Sequence, residues 1–176
     1  MKKFFPIKTE TACQLKWNWS SIYLHEGSTN SCHRVNKTIL SADEFDNFHT
    51  IPKKISDREL MLKGEWPSGG CEYCKKIEDA GGVSDRLFHL NIPDMNPKEL
   101  DEAIVTHVTP KVVEVYFDNV CNMSCIYCSN LYSSKIHQEN VKFGRYEQDG
   151  LVIDNTHKRH PQFKELTAKF WDWMEV

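Results

Sequence analysis

Seven cysteines in a chain of 176 residues, gathered in two groups, constrain this sequence more than any other feature. Cys13, Cys32, Cys71 and Cys74 form one group, and Cys121, Cys125 and Cys128 the other. An odd count argues against a disulfide framework, and no export signal is legible at the start. Phe4-Phe5-Pro6-Ile7 is too short for a signal-peptide core, and Lys8 follows at once. Clustered cysteines in a reducing compartment hold a metal or do redox chemistry more often than they cross-link. The chain is therefore expected to be cytoplasmic. The balance of 22 basic against 25 acidic residues argues against a nucleic-acid partner held by bulk positive charge. No apolar run approaches the roughly 20 residues that a membrane crossing needs, so no membrane partner is expected. With 40% hydrophobic residues, the chain has enough apolar material to fold around a core.

Turn formers such as Gly27-Ser28-Thr29-Asn30-Ser31 predict short strands and loops over residues 1–40. Ser41–Glu44 has the form of a capping box ahead of Phe45 and Phe48, in a helix limited by Pro52. A second box, Ser56–Glu59, predicts a helix stopped by Gly64 and Pro67. Gly69-Gly70 leads into a helix at Cys71 that Gly81-Gly82 ends, and Asn96-Pro97 predicts a brief helix over Lys98–Ala103. Lys111–Phe117 is β-branched and aromatic, the clearest strand in the chain. Pro161–Met174 carries Phe163, Leu166, Phe170, Trp173 and Met174 as one helical stripe that needs a surface to pack on. Trp17 and Trp19 are expected to pack against the first cysteine group, and the polar stretch Ser129–Asn140 to form a loop beside the second.

Cys121, Cys125 and Cys128 stand as C-x-x-x-C-x-x-C just past the predicted strand. Thiolates this close in sequence can hold three corners of a cubane iron–sulfur cluster, leaving the fourth iron open. His137 is the alternative fourth ligand, which would close the site around zinc instead. With Tyr127 before the last cysteine, the segment resembles the radical S-adenosylmethionine (radical SAM) enzymes. The resemblance implies a 4Fe–4S cluster on Cys121, Cys125 and Cys128, with S-adenosylmethionine on the open iron and Tyr127 beside its adenine. It also implies reductive cleavage to a 5′-deoxyadenosyl radical and an electron donor such as flavodoxin or ferredoxin.

The first group is a C-x-x-C, Cys71–Cys74, preceded by Cys13 and by the G-x-x-x-x-C of Gly27–Cys32. Four thiolates serve zinc and a cubane cluster equally well on composition alone. His33, next to Cys32, is a further candidate ligand. The order of these cysteines resembles the auxiliary-cluster module SPASM, or its shorter relative twitch, which implies an auxiliary 4Fe–4S cluster on Cys13, Cys32, Cys71 and Cys74. The expected fold class is α/β. An irregular, cysteine-rich α+β twitch/SPASM-like module over 1–108 precedes the first βα unit of a truncated radical SAM partial TIM barrel over 109–176.

The chain departs from the family downstream. Only residues 129–176 follow Cys128, whereas each βα unit of a barrel takes about 30 residues. The family's Gly-Gly-Glu motif is absent, since Gly69-Gly70 is followed by Cys71 and Gly81-Gly82 by Val83. The expectation is a radical SAM enzyme fragment, possessing little SAM cleavage alone, with a peptide substrate or a second chain that completes the barrel. Two other readings stand beside it: a non-catalytic iron–sulfur or zinc module acting with a partner chain, and a zinc-ribbon interaction domain.

Overall fold

The structure, a computed structural model, describes residues 9–89, 108–126, 128–130, 132–144 and 159–175. It is a mixed α/β fold built on a small, open, mixed sheet of four strands. A short helix α1 (Gln14–Asn18) runs directly into β1 (Trp19–Tyr23). A turn over Leu24–Gly27, where Gly27 takes a φ of 62°, reverses the chain into β2 (Ser28–Asn30), and β3 (Thr38–Ile39) follows. The remaining strand is β4 (Val112–Tyr116), and the sheet order is β3-β2-β1-β4. β2 is antiparallel to both neighbours, while β4 runs parallel to β1 with Trp19 opposite Val112 and Tyr23 opposite Tyr116.

The strand expected over Lys111–Phe117 is thus present, though not isolated. Its backbone groups are paired along one side by β1, and it forms one edge of the sheet. Side chains alternate across the sheet as pleating requires. Ile22 faces the core with Val113 and Val115 packed beside it, whereas Ser21, Glu114, Tyr23 and Tyr116 share the other face. There Ser21 Oγ donates to Glu114 at 2.9 Å and the two tyrosine rings stack at 4.5 Å.

Helix α2 (Pro52–Leu62) starts earlier than the second capping box predicts. Pro52 does not merely end the preceding segment; it occupies the first helical position, where its missing N–H is no loss. Ser56 consequently lies inside α2. The first box does form in part, with Ser41 Oγ donating to Glu44 at 2.8 Å, but it opens only a 3-10 turn over Phe45–Asn47. Helix α3 (Cys71–Asp79) ends as expected, with Gly81 N–H bonding to Glu78 O and Gly82 N–H to Ile77 O. Then follow α4 (Asp85–His89), α5 (Ser134–Phe143) and α6 (Phe163–Met174). Helix α5 corrects the loop expected over Ser129–Asn140: Ser133 caps it, accepting from Ile136 N–H. The helix expected over Lys98–Ala103 lies outside the described residues.

Two cores flank the sheet. The larger joins Ile22, Leu24, Leu40, Ala42, Phe45, Phe48 and Ile51 to Leu166 and Phe170 of α6, so the aromatic stripe finds its packing surface in this chain. Only its end is bare, with Met174 exposed. The second core gathers Cys13, Leu15, Trp17, Met61 and Cys71, with Trp19, Cys32 and Trp66 against it. Among the described residues no helix is long and apolar enough to cross a membrane.

Candidate metal centre

Cys13, Cys32, Cys71 and Cys74 line a single cavity, although they come from three separate stretches of chain. Cys13 immediately precedes α1. Cys32 follows β2 by two residues. Cys71 and Cys74 stand at positions one and four of α3, on one helical face, and both are buried. Gly70 makes that placement feasible. Its φ of 128° excludes other residues from an easy fit, and a Cβ there would lie 2.1 Å from Arg34 O and 2.6 Å from Val35 Cα. Glu72 bends back to accept from the N–H groups of Gly69 and Gly70, at 3.1 and 2.7 Å, which fixes the entry to the helix. Trp17, 1% exposed, packs in the same cluster as Cys13 and Cys71, where the sequence places it.

Lys16, Arg34 and Arg86 line the cavity with the thiols. Lys16 is buried and paired with Asp57 at 2.6 Å. Arg86 is held by Glu78 and by Ala12 O, and its guanidinium lies over the Trp66 ring. Arg34 pairs with Asp85 and lies over Tyr73. Burial pushes the Cys13 thiol up to about 12, with Cys32 adding to the shift. Burial likewise raises Cys71 to about 11 against the opposing pull of Lys16, and it raises Cys32. Cys13, Cys32 and Cys71 are therefore protonated at neutral pH until an electrophile displaces their protons, and the three cations are placed to offset the negative charge that then develops.

This donor set suits a thiophilic group. Among the described residues, however, no three or more His, Cys, Asp or Glu side chains are disposed to hold one metal ion. Four thiols serve a tetrahedral zinc and a cubane cluster alike. His33 does not line the cavity; it is turned toward Glu114 at 3.4 Å.

The second group sits beyond the C-terminal end of β4, on the side of a parallel strand pair where α/β sheets generally place ligands. Cys121, Cys125 and Cys128 are all half-buried. Their loop is tied to the start of α5: Cys121 N–H donates to Ser134 Oγ at 3.0 Å, Ser134 N–H to Asn119 O at 2.9 Å, and Ser133 Oγ to Met123 O. Met123 N–H also lies 3.4 Å from the Cys121 sulfur. His137 falls in the first turn of α5, and among the described residues neither the three thiols alone nor the thiols with His137 form a metal-holding group. Tyr127 lies outside the described residues.

The sequence reading missed the cations of the first cavity. A signal was available, since Lys16 follows Cys13, and Arg34 follows Cys32, within three residues. It also missed a buried polar layer behind the sheet. Lys54 Nζ donates to Ser20 Oγ and Thr29 Oγ1, both at 2.8 Å. His49 Nε2 bonds Trp17 O at 2.7 Å and must therefore carry the proton, leaving Nδ1 to accept from Ser20 Oγ. Burial, reinforced by Arg58 and Lys54, holds His49 down to about 3. Arg58 donates to Lys16 O and His49 O, each at 2.8 Å. No protein family, curated protein or solved structure matches the chain.

Proposed function

We propose that the chain is an iron–sulfur protein of radical SAM ancestry with two thiolate centres. The observation that carries this reading is the convergence of Cys13, Cys32, Cys71 and Cys74 on one cavity lined by Lys16, Arg34 and Arg86. These four would hold the auxiliary 4Fe–4S cluster, and Cys121, Cys125 and Cys128 the second. A cluster with an open iron, when S-adenosylmethionine is bound to it, supplies the electron for reductive cleavage of that molecule. The chain's own part is to shield and orient. Trp17 and Met61 exclude water from the first centre, the cations balance its charge, and the bonds from Ser133 and Ser134 fix the second loop against α5.

Anaerobic reconstitution tests the reading. About eight iron and eight sulfide per chain are expected, falling to about four of each when Cys121, Cys125 and Cys128 become Ala. A colourless protein holding one or two zinc ions refutes it.

The second reading is a non-catalytic iron–sulfur module that acts with a partner chain. It is favoured by the position of β4 at the edge of the sheet among the described residues and by full exposure of Ile126 within the cysteine loop. A partner adding a strand beside β4 would cover that loop. Assaying 5′-deoxyadenosine from the reduced, reconstituted chain with S-adenosylmethionine separates the two: its formation establishes the catalytic reading, and its absence with both clusters loaded supports the module.

A further inference from the structure

Lys16 and Asp57 form a buried ion pair at 2.6 Å, and the two partners face different cavities. Lys16 lines the thiol cavity. Asp57 lines a separate cavity beside Gly69, together with Lys53, whose ammonium holds its other carboxylate oxygen. The pair therefore stands as a dipole with its positive end toward the cysteines. Burial works against the charge on Lys16, yet Cys71 and Asp57 outweigh it, so the amine stays protonated. Its influence on the thiols has the sense this arrangement requires. Burial raises Cys13, Cys32 and Cys71, and Lys16 pulls against that rise at all three. At Cys71 it outweighs the opposing Asp57. The side chains of Lys16 and Asp57 are only 2% and 6% exposed, so water and salt screen the pair little. The other two cations of the cavity differ. Arg34 is 46% exposed, and Arg86 has its guanidinium committed to Glu78 and Ala12 O.

An iron–sulfur cluster on four thiolates gains one negative charge when it takes up one electron. A fixed positive charge in a dry site stabilises that reduced state, and net charge is among the factors that set a cluster's potential. We propose that the Lys16–Asp57 pair sets the reduction potential of the first centre, raising it by aiming the Lys16 ammonium at the thiolates. The inference rests on the iron–sulfur reading of this cavity, and it assigns the tuning of the centre to residues that hold no metal themselves. Asp57 is the positioning residue: one oxygen holds Lys16 on the cavity wall, and the other is tied by Lys53 from the solvent side.

Redox titration tests this in the full chain with Cys121, Cys125 and Cys128 replaced by Ala, so that the first centre alone reports. Dithionite supplies the electrons, and visible absorbance and electron paramagnetic resonance follow the reduced cluster. Lys16→Met is expected to shift the one-electron equilibrium about tenfold toward the oxidised cluster, a midpoint about 59 mV lower. Lys16→Arg, which keeps the charge, should restore most of the wild-type midpoint. Asp57→Asn removes the opposing charge and should raise it. Lys169→Gln, on α6, should leave it unchanged. Loosened packing that admits water would move Lys16→Met and Asp57→Asn in one direction, so opposite shifts identify the charge as the cause. Full iron with an unmoved midpoint in Lys16→Met, or shifts of the same sign in both variants, overturns this inference and leaves the cluster standing. Should Lys16→Met not fold, a midpoint in Asp57→Asn at or below that of wild type overturns it equally. Uptake of zinc without iron overturns the iron–sulfur reading, and this inference with it.

Discussion

Replacing Lys54 with Met should make the protein more stable, and most so at the acidic end of the neutral range. Burial, with help from Arg58 and Lys16, drives this amine from 10.5 to about 6. Its two bonds to Ser20 and Thr29 occupy both N–H groups of a neutral amine, while Ser20 donates onward to His49 and Thr29 to Ser21 O. The folded chain at pH 7 thus holds Lys54 uncharged, while the unfolded chain holds it protonated. Removing that proton costs about 5 kcal/mol, at about 1.4 kcal/mol for each pH unit below 10.5. Met forfeits two hydrogen bonds worth about 1 kcal/mol each, leaving a gain of about 3 kcal/mol.

The pH signature follows from linkage. Between 6 and 10.5 the unfolded state binds the extra proton, so wild-type stability rises with pH across that window. His49, held near 3, works in the same direction but only below its ordinary 6.5. The raised thiols act oppositely, removing stability only as pH climbs from 9 towards 11 and 12. From pH 6.5 to 8 Lys54 therefore dominates. Urea unfolding of the metal-free chain across that interval should show a rise in the wild type and a nearly flat profile in Lys54→Met. A variant less stable than wild type at pH 6.5, or equally steep, would refute the reasoning.

Three further outcomes are expected. Gly70→Ala should displace Cys71 by forcing a Cβ into Arg34 O and so lower the iron that the proposed first centre takes up; quantified iron in a background lacking Cys121, Cys125 and Cys128 reads this directly. Arg58→Met should destabilise the fold by about 2–5 kcal/mol, since the buried carbonyls of Lys16 and His49 each lose a donor, and denaturant midpoints will show it. Phe170→Ala should cost about 3–5 kcal/mol in the same assay. Its ring is 5% exposed and meets Phe117 edge-on at 5.2 Å within the larger core.

Elements governed by local chemistry were legible in the sequence. The α3 start at Gly70-Cys71, its glycine ending, the β4 strand and the α6 stripe all follow from turn residues and periodicity. Long-range pairing was not. Nothing in Val112–Tyr116 names β1 as its neighbour, because a strand's pattern specifies the faces it presents and not the edge it joins. Helix α2 was misplaced at its start because two proline roles, stop and first position, share one residue. Among the four upstream thiols, motif spacing places only Cys71 and Cys74 together, on one face of α3. The charged layer around Lys54, His49 and Arg58 was not legible, because in one dimension buried charges look like a solvated helix face.

The parallel pairing of β1 with β4 also bears on the order in which the molecule assembles. The bond from Ser21 to Glu114 closes a loop of 93 residues, a non-local contact of the kind that slows folding. The thiol cavity, by contrast, is lined entirely between Cys13 and Arg86. During synthesis those residues emerge before β4 exists, so the four thiols can come together in their cavity while the sheet still lacks that strand.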